Sequence, residues 1–339
     1  MPSKIAVAIL NWNGKALLER FLGKVVEDSA NLGQVYLIDN ASSDDSLAYT
    51  KAQHPEVKII ALDNNYGYAG GYNRALAHLD EEIIVLLNSD IETSPDWLEP
   101  IAEAFAKHPK LGALQPKILD LKDRSKFEYA GASGGYIDKL GYPFCRGRLF
   151  DTLEEDQAQY NDFQNCFWAT GACLVVRREA FKQVKGLYEV LFAHMEEIDL
   201  CWKMQISGWE IAVEPKSTVY HLGGATLDAA SPQKTFLNFR NNLIILFLNL
   251  PHFEAMRIIF SRLILDGIAG LRFLSQGKLA FVWAIIRAHF AFYGLFQKLY
   301  AERMHRKQKA FIQMTGLYQS SILWAYFGQK KKSFKDLGA

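Results

Sequence analysis

The sequence predicts an α/β fold, in which a doubly wound, mostly parallel sheet with flanking helices is followed by a C-terminal helical, amphipathic segment. Through residues 5–90, short apolar runs that end abruptly in polar residues alternate with stretches of helical spacing. Such runs are typical of strands buried on both faces of a parallel sheet. The clearest, Ile83–Leu87, stops at Asn88-Ser89-Asp90. Together these observations favour parallel strands joined by helical crossovers.

The elements follow from the spacing of apolar residues. Strands are expected at residues 5–10, 34–38, 57–62 and 83–87, and helices at residues 15–26, 45–53 and 71–79. In the first helix, Leu18, Leu22 and Val25 recur at a spacing that places them on one face. Downstream, the pattern predicts a strand at Cys173–Arg177 and a helix from Glu196 to about residue 208.

The charge of the chain is unevenly distributed. Residues 241–339 carry 14 Lys and Arg against four acids, a local balance of +10, so residues 1–240 sum to −9 in a chain of net charge +1. The basic residues are interleaved with large apolar ones, which favours an anionic membrane surface over nucleic acid as a partner. We place a domain boundary after residue 242, with a nucleotide-binding half at 1–120 and an acceptor and catalytic half at 121–242.

Cysteine usage indicates the redox environment. Cys145, Cys166, Cys173 and Cys201 form no CxxC pair and have no metal-finger spacing. The N-terminus does not show the pattern of a signal peptide. We therefore expect free thiols in a cytoplasmic protein.

Polar residues at strand ends are the first candidates for a binding site. In open α/β sheets, ligands bind beyond the carboxyl ends of the strands, where Asn88, Ser89 and Asp90 would lie. Alternation sends side chains 88 and 90 to the same side, where they could hold one metal ion or one diphosphate. An Asx-type turn is the alternative. Asp39 ends the second strand on the same edge and could accept hydrogen bonds from a base or ribose, or cap the following turn.

A glycine-rich connection leads from the third strand into a helix. Gly70 and Gly71 would let the backbone approach a ligand closely, and the helix N-terminus favours phosphate. Arg74 is a candidate contact for the base or the diphosphate, with a solvated surface arginine as the alternative. The segment matches neither a Walker A loop nor a GxGxxG fingerprint.

Several motifs occur in an order that resembles the family 2 glycosyltransferases. These are LIDNASSD, NNYGYAGGYNRAL and LLNSD, followed by segments at residues 167–181, 194–209, 219–226 and 239–243. Family members are inverting, nucleotide-sugar-dependent enzymes with the GT-A fold. The chain looks most like the rhamnosyltransferase-like branch of bacterial cell-surface glycan synthesis, in which the DxD motif often appears as NxD. The resemblance covers about residues 4–245.

The resemblance implies roles for individual residues. Asp90 would coordinate Mg²⁺ or Mn²⁺ on the donor diphosphate, with Asn88 assisting and His221 as a further ligand; His221 as a structural histidine is the alternative. The family's acidic pair corresponds to Glu196 and Glu197. Glu197 is the expected base and Asp199 is second, although acids at a helix N-terminus also interact favourably with its dipole.

The resemblance also outlines the substrate pockets. Gly171 and Ala172 would let the backbone approach the sugar, and Trp168 would offer an apolar face on the acceptor side or pack in the core. Residues 122–165 are the expected acceptor region. The predicted nucleotide-sugar contacts are Asn11, Asn13, Asp39, Asn65, Gly70, Gly71, Arg74, Asn88, Ser89, Asp90, Gly171 and Ala172.

The apolar C-terminal segment, residues 243–339, favours amphipathic helices lying in the plane of a membrane. Charged residues such as Arg257, Arg272 and Arg287 interrupt its apolar stretches, which disfavours a spanning helix. We expect a peripheral protein on the inner face of the cytoplasmic membrane. A soluble helical subdomain or a homodimer interface is the alternative.

The expected activity is metal-assisted, inverting transfer of a sugar from a nucleoside diphosphate to a hydroxyl of a lipid-linked or polysaccharide acceptor. Candidate donors are dTDP-rhamnose and a UDP-hexose. One alternative is a non-catalytic sugar-nucleotide or glycan-binding protein of the same fold. A sugar nucleotidyltransferase is less favoured, because its basic glycine-rich loop would follow the first strand, where residues 11–14 read Asn-Trp-Asn-Gly.

Overall fold

The computed structural model describes residues 5–223 and 231–338. Its strands are β1 Ile5–Asn11, β2 Gly33–Asp39, β3 Lys58–Ala61, β4 Ile83–Leu87, β5 Ile91–Thr93, β6 Leu111–Asp120, β7 Gly135–Asp138, β8 Pro143–Cys145, β9 Arg148–Leu149, β10 Thr152–Leu153, β11 Gln164–Asn165, β12 Cys173–Arg177, β13 Glu210–His221 and β14 Leu317–Tyr318. Its α-helices are α1 Lys15–Ser29, α2 Ser46–Gln53, α3 Gly67–Leu76, α4 Leu98–Lys107, α5 Arg178–Gln183, α6 Glu196–Ile206, α7 Pro232–Asn249, α8 His252–Ser275, α9 Leu279–Gly294 and α10 Phe296–Met304.

The main sheet has the strand order β11-β13-β6-β12-β4-β1-β2-β3, and β5 pairs with β13. Strands β3, β2, β1 and β4 are parallel, as are β6 and β13. Strand β12 lies antiparallel between β4 and β6, with Cys173 opposite Leu87. The start of β12 therefore lies at the carboxyl end of β4. The predicted α/β fold with a mostly parallel sheet is confirmed.

Alternating side chains of the central strands enter two separate cores. On β1, Ile5, Val7 and Ile9 pack with the buried side of α1, whereas Ala6 and Ala8 pack with α3 and α6. This alternation is the expected consequence of the strand's two-residue period. Burial of each large aliphatic side chain contributes about 1.5–3 kcal/mol, so both faces of the sheet need helical cover.

Helix α3 begins earlier than predicted, so the paired glycines lie inside the helix. A Cβ on Gly71 would lie 2.8 Å from Leu10 Cδ1, and a Cβ on Gly70 would lie 2.9 Å from Tyr66 Cβ. Gly71 therefore allows α3 to pack closely on β1. This packing explains Gly71 without a ligand, and the expected approach of a ligand to these glycines stays a prediction.

A second sheet occupies the region predicted to be the acceptor segment. Its strand order is β10-β9-β8-β7-β14. Strand β14 comes from the C-terminal part of the chain and pairs in parallel with β7. The backbone N–H of Ile322 also donates to Asp138 Oδ2 at 2.9 Å. The C-terminal part of the chain therefore packs against the body of the domain.

Helix α7 crosses the domain boundary that was predicted after residue 242. Residues 243–248 are fully buried and belong to the same core cluster as the sheet. Phe311 stacks on Trp202 of α6, with ring centroids 4.8 Å apart. Helix α7 and residues 311–337 thus complete the core, while α8–α10 form an outer layer, and the domain boundary itself stays a prediction.

Two further expectations concern the cysteines and the apolar helices. All four cysteines are buried free thiols. In the part of the chain that the structure describes, no single helix is long and apolar enough to cross a bilayer. Helices α9 and α10 meet that criterion only as a pair, and they are bent by 55° at their junction.

Candidate active site

The turn after β4 brings the predicted donor-side residues together. The backbone N–H of Asn88 donates to Ala172 O at 3.0 Å, and that of Leu222 donates to Asp90 O at 3.1 Å. The turn is thus held between the start of β12 and the end of β13. Asn88, Asp90, Ala172 and the adjacent His221 share one edge of the sheet as a result.

Asp90, His221 and Glu128 form a buried row. Asp90 Oδ1 lies 3.2 Å from His221 Nε2, and Glu128 Oε1 lies 3.3 Å from His221 Nδ1. Burial alone would lower the pKa of His221, but the two carboxylates outweigh it and raise the pKa to about 10. The imidazole is therefore protonated at neutral pH. Glu128 was not a sequence candidate, because it lies 93 residues from His221 and no motif marks it.

The chemistry of this row fits a divalent cation that arrives with its substrate. Among residues 5–223 and 231–338, no cluster of three or more His, Cys, Asp or Glu side chains has metal-binding geometry. Mg²⁺ and Mn²⁺ need only one or two protein ligands when substrate phosphates and waters supply the others. Asp90 offers a carboxylate and His221 an imidazole nitrogen, which must first release its proton. Asn88 could add an amide oxygen.

Helix α6 presents the acidic pair at its N-terminus. Glu196 is buried and Glu197 partly exposed. Burial raises the pKa of Glu197 to about 7, and burial together with Glu197 raises the pKa of Glu196 further. The Oε2 atoms of both have no hydrogen-bond partner within the described residues. A carboxyl with a buried, unpaired oxygen and a pKa near neutrality, on a residue that is partly exposed, suits a general base.

Asp199, the second candidate for the base, is engaged elsewhere. It is fully buried and accepts hydrogen bonds from Arg306 Nη1 at 2.7 Å and Asn249 Nδ2 at 2.8 Å. Burial would raise the pKa of Asp199, but Arg306 and Lys203 outweigh burial and lower it. These contacts give Asp199 a structural role that joins α6 to the C-terminal part of the chain.

The loop before β12 connects the acidic pair to the donor side. Tyr68 Oη donates to Gly171 O at 2.8 Å. A Cβ on Gly171 would lie 3.1 Å from Tyr68 Oη and 3.8 Å from Glu197 Cβ. The Gly171–Ala172 backbone therefore lies between Glu197 and the Asn88 turn. The sequence analysis did not identify Tyr68, because the glycines of the same segment indicate backbone contacts and no motif marks the tyrosine.

Trp168 packs in the core instead of facing an open pocket. It is 5% exposed, and its Nε1 donates to Tyr136 O at 3.0 Å. The indole lies directly against Gly135, where any Cβ would collide with it. The expectation that Trp168 offers an apolar face to the acceptor is thus corrected in favour of core packing.

The carboxyl ends of β1 and β2 are tied together by side chains predicted to bind the nucleotide. Asn11 Nδ2 donates to Asp39 Oδ1 at 3.2 Å, and the N–H of Ser42 donates to Asp39 Oδ2 at 3.0 Å. Asn13 Oδ1 accepts from the N–H of Ser43 at 2.7 Å. Asp39 thus makes the turn contact that was the alternative to ligand binding, and it shapes the edge of the sheet beside the Asn88 turn.

Asn65 and Arg74 also make contacts within the protein. Asn65 Oδ1 accepts from the N–H of Gly67 at 2.9 Å, which satisfies a donor at the start of α3. Arg74 lies 3.7 Å above the ring of Tyr66, and its Nη1 contacts Glu189 Oε1 at 3.0 Å. Arg74 is therefore neither a free surface arginine nor a free anion-binding group.

Comparisons with known proteins identify the family and the fold of this chain. The family model described as glycosyl transferase family 2 matches residues 6–185. An N-acetylglucosaminyl-diphospho-decaprenol L-rhamnosyltransferase from Mycobacterium tuberculosis is 28% identical over 237 residues, which cover 65% of this chain and 76% of the relative.

Two solved glycosyltransferase structures share the fold. The structure of GalNAc-T7 with UDP, GalNAc and Mn²⁺ aligns with a TM-score of 0.57 and 15% sequence identity. The alignment covers 74% of this chain and 49% of GalNAc-T7, so this chain spans about half the length of that protein. The structure of the mannosyltransferase PcManGT from Pyrobaculum calidifontis, with GDP-Man and Mn²⁺, aligns with a TM-score of 0.52 and 14% sequence identity. The alignment covers 86% of this chain and 87% of PcManGT. This chain therefore has the GT-A fold and belongs to glycosyltransferase family 2, whose members transfer sugars from nucleotide sugars.

Proposed function

We propose that this glycosyltransferase moves a sugar, with rhamnose as the first candidate, from a nucleoside diphosphate to a hydroxyl of a lipid-linked acceptor. The observation that carries the proposal is the position of the Gly171–Ala172 backbone between Glu197 and the Asn88 turn. The name of the mycobacterial relative describes a rhamnosyltransferase that acts on a sugar linked through a diphosphate to decaprenol. That name supports the choice of rhamnose and of a lipid-linked acceptor.

Glu197 would act as the base. Its carboxylate accepts the proton of the acceptor hydroxyl as the hydroxyl oxygen attacks the anomeric carbon and the bond to the diphosphate breaks. Attack from the side opposite the leaving group inverts the configuration at that carbon. With a pKa near 7, about half of the Glu197 side chains are ionised at neutral pH and ready to accept a proton. Burial and the neighbouring Glu197 raise the pKa of Glu196, which favours its neutral form and limits the repulsion between the two carboxyls.

The leaving diphosphate would lie at the Asn88 turn. Asp90 and His221 would hold a divalent cation there, with Asn88 beside them, and the cation would supply positive charge to the departing diphosphate. Glu128 orients the His221 ring from the opposite side. The nucleoside would extend along the edge formed by Asn11 and Asp39, whose hydrogen bonds keep the strand ends fixed.

The proposal is tested with purified protein, a panel of nucleotide sugars and a polyprenyl-diphosphate-linked sugar as acceptor. Transfer of rhamnose from dTDP-rhamnose, with the product in the opposite anomeric configuration, is the expected result. Loss of transfer in Glu197→Gln, with donor binding retained, would support the assignment of the base. Glu103→Gln, which changes an exposed acid of α4, is the matched control. Transfer with retained configuration, or no transfer from any donor, contradicts the proposal.

A further inference from the structure

Helix α8 buries the apolar residues Ala255, Ile258 and Ile259 in its first two turns, but beyond them it departs from an ordinary surface helix. Its inward side carries Arg262 and Asp266, which are 3% and 1% exposed. Its outward side carries Phe260, Ile268 and Leu271, which are 64%, 57% and 66% exposed. A helix at a water-exposed surface normally places apolar residues inward and charges outward. The arrangement of α8 is the one expected where the outer surroundings are apolar.

The buried charges of α8 fix the helix to its neighbours. Arg262 donates to Asn242 of α7, and Asp266 Oδ1 lies 3.3 Å from Arg262 Nε. Asp266 Oδ2 lies 3.1 Å from His289 Nε2 of α9. These contacts satisfy the charges inside the protein, and they hold α8 and α9 rigidly against α7. The outward apolar side chains are therefore presented by a fixed surface.

Helix α9 continues the same surface. Trp283 and Phe290 are 60% and 72% exposed and are seven residues apart, so they lie on one side of the helix. Phe273 of α8 stacks on Phe281 of α9, with ring centroids 5.1 Å apart, which places the two helices side by side. We call the exposed apolar side chains of α8 and α9 the outer apolar face. Exposed apolar surfaces of this kind mark sites of interaction with a protein or a membrane.

The charges around the outer apolar face are positive. Arg257, Arg272, Lys278 and Arg287 are exposed on α8, α9 and the turn between them. Both helices are described completely, and their acids are Glu254, which is partly buried, and Asp266, which is buried and paired. A second copy of the chain would bring two positive rims together, which disfavours a dimer through this face. Anionic lipid headgroups complement the rim.

We propose that the outer apolar face of α8 and α9 inserts into the headgroup and acyl boundary of an anionic bilayer, as a peripheral attachment at the inner face of the cytoplasmic membrane. Helices that lie in the plane of a bilayer bury one apolar side and keep basic residues at the headgroups. Each basic residue near an anionic surface strengthens binding to it. The apolar face and the basic rim therefore act together.

The attachment is tested by sedimentation of the full chain with vesicles, in the absence of any sugar donor. Vesicles of phosphatidylcholine with phosphatidylglycerol should carry the protein into the pellet at low salt. Phosphatidylcholine alone should carry less, and high salt should weaken binding to the anionic vesicles. Since no sugar transfer is measured, failure here is distinguishable from failure of the proposed enzymatic function.

The apolar part is tested with the combined variant Phe260→Gln, Ile268→Gln and Phe290→Gln. We expect vesicle affinity to fall by at least about tenfold, because three inserting side chains become polar. The matched control is Phe260→Leu, Ile268→Val and Phe290→Leu, which keeps the surface apolar and should bind like the parent. Unchanged thermal unfolding shows that the glutamine variant is folded. Equal affinity of a folded glutamine variant and the parent overturns the proposal.

The basic part is tested with Arg272→Gln and Lys278→Gln, against Lys51→Gln on the distant helix α2 as the control. The first two should reduce binding to anionic vesicles and its salt dependence, and the control should not. Parent protein that remains in the supernatant with anionic vesicles at low salt overturns the proposal. So does a dimer in sedimentation velocity that the glutamine variant abolishes, because the outer apolar face would then bind a second copy.

Discussion

Asp199 of α6 and Arg306, which follows α10, form a buried ion pair, with 2.7 Å between Oδ1 and Nη1. Asp199 lies two residues after Glu197, so this pair connects the helix of the proposed base to the C-terminal part of the chain. Asn249 at the end of α7 donates to the same carboxylate oxygen at 2.8 Å. The helices beyond residue 242 therefore help to position the active site.

Arg306→Met should destabilise the fold strongly. Removing one partner of a buried pair leaves an uncompensated charge and costs about 3–5 kcal/mol, although Lys203, whose Nζ lies 3.6 Å from Asp199 Oδ2, will reduce the loss. Chemical denaturation measures the change. The control Lys107→Met breaks the exposed pair with Glu103 and should change the free energy of unfolding far less, because solvent screens that pair. Equal effects of the two variants would show that the buried pair has no special role.

Glu197→Gln should lower turnover by about 10²–10⁴, the usual contribution of a general base. The amide keeps the size of the side chain, so the affinity for the nucleotide sugar should change little. Steady-state kinetics and donor titration measure the two effects separately. If Glu197→Gln retains the turnover of the parent while a folded Asp199→Asn variant is inactive, the base is Asp199.

The activity should rise with pH through about 7. The pKa of Glu197 is raised to about 7 by burial, so the base is protonated and inactive below that pH. The same shift means that the folded state holds this proton more tightly than the unfolded state, whose carboxyl has a pKa of 4.5. The proton on Glu197 therefore stabilises the folded state fully below pH 4.5, and this stabilisation is lost as the pH rises through about 7.

Glu197→Gln tests this pH dependence of stability, because the amide has no proton to lose at high pH. The melting temperature of the variant minus that of the parent should be larger at pH 8 than at pH 4. The control Glu103→Gln should show no such relative gain at high pH, since its carboxyl is exposed and paired with Lys107, which lowers its pKa. A parent whose activity is independent of pH between 5 and 8 would contradict the raised pKa of the base.

Asp90→Ala should abolish metal-dependent transfer while the protein still folds, because the His221 ring keeps its contact with the Glu128 carboxylate after the change. In the parent, we expect EDTA to remove activity and Mn²⁺ to restore it. Calorimetry should show that Mn²⁺ increases the affinity of the parent for the donor nucleoside diphosphate but not that of Asp90→Ala. The control is Glu56→Ala, an exposed acid before β3. Full activity of Asp90→Ala in EDTA would remove the metal from the mechanism.

Glu128→Gln should lower the pKa of His221. Glu128 and Asp90 together raise that pKa to about 10 against the effect of burial, and the variant removes one negative charge. The titration of the His221 ring, followed by NMR, measures the change directly. Glu154→Gln, in the same region of the chain, should leave it unaffected. An unchanged titration in Glu128→Gln would show that Asp90 alone accounts for the raised value.

The amino-acid sequence by itself determined the local features of this protein. The two-residue and helical periods of apolar residues placed β1–β4, β12, α1–α3 and α6 to within a few residues, because these periods indicate which side of each element is buried. They also placed Asn88 and Asp90 at the carboxyl end of β4, where the edge of a parallel sheet collects ligands. Family motifs then added Glu197 and His221.

Tertiary structure decided the features that depend on distances between residues far apart in the chain. No local sequence pattern predicts the contact of Glu128 with His221. The same holds for the contact between Arg306 and Asp199, which are 107 residues apart. The sequence pattern places Gly71 in a candidate ligand-binding loop, whereas in the structure Gly71 lies in α3 and packs against Leu10. The pKa of Glu197 and the burial of Arg262 and Asp266 on the inward side of α8 are likewise properties of their surroundings. Burial and ion pairing arise only when separate elements pack together, and that packing is what local periodicity does not encode.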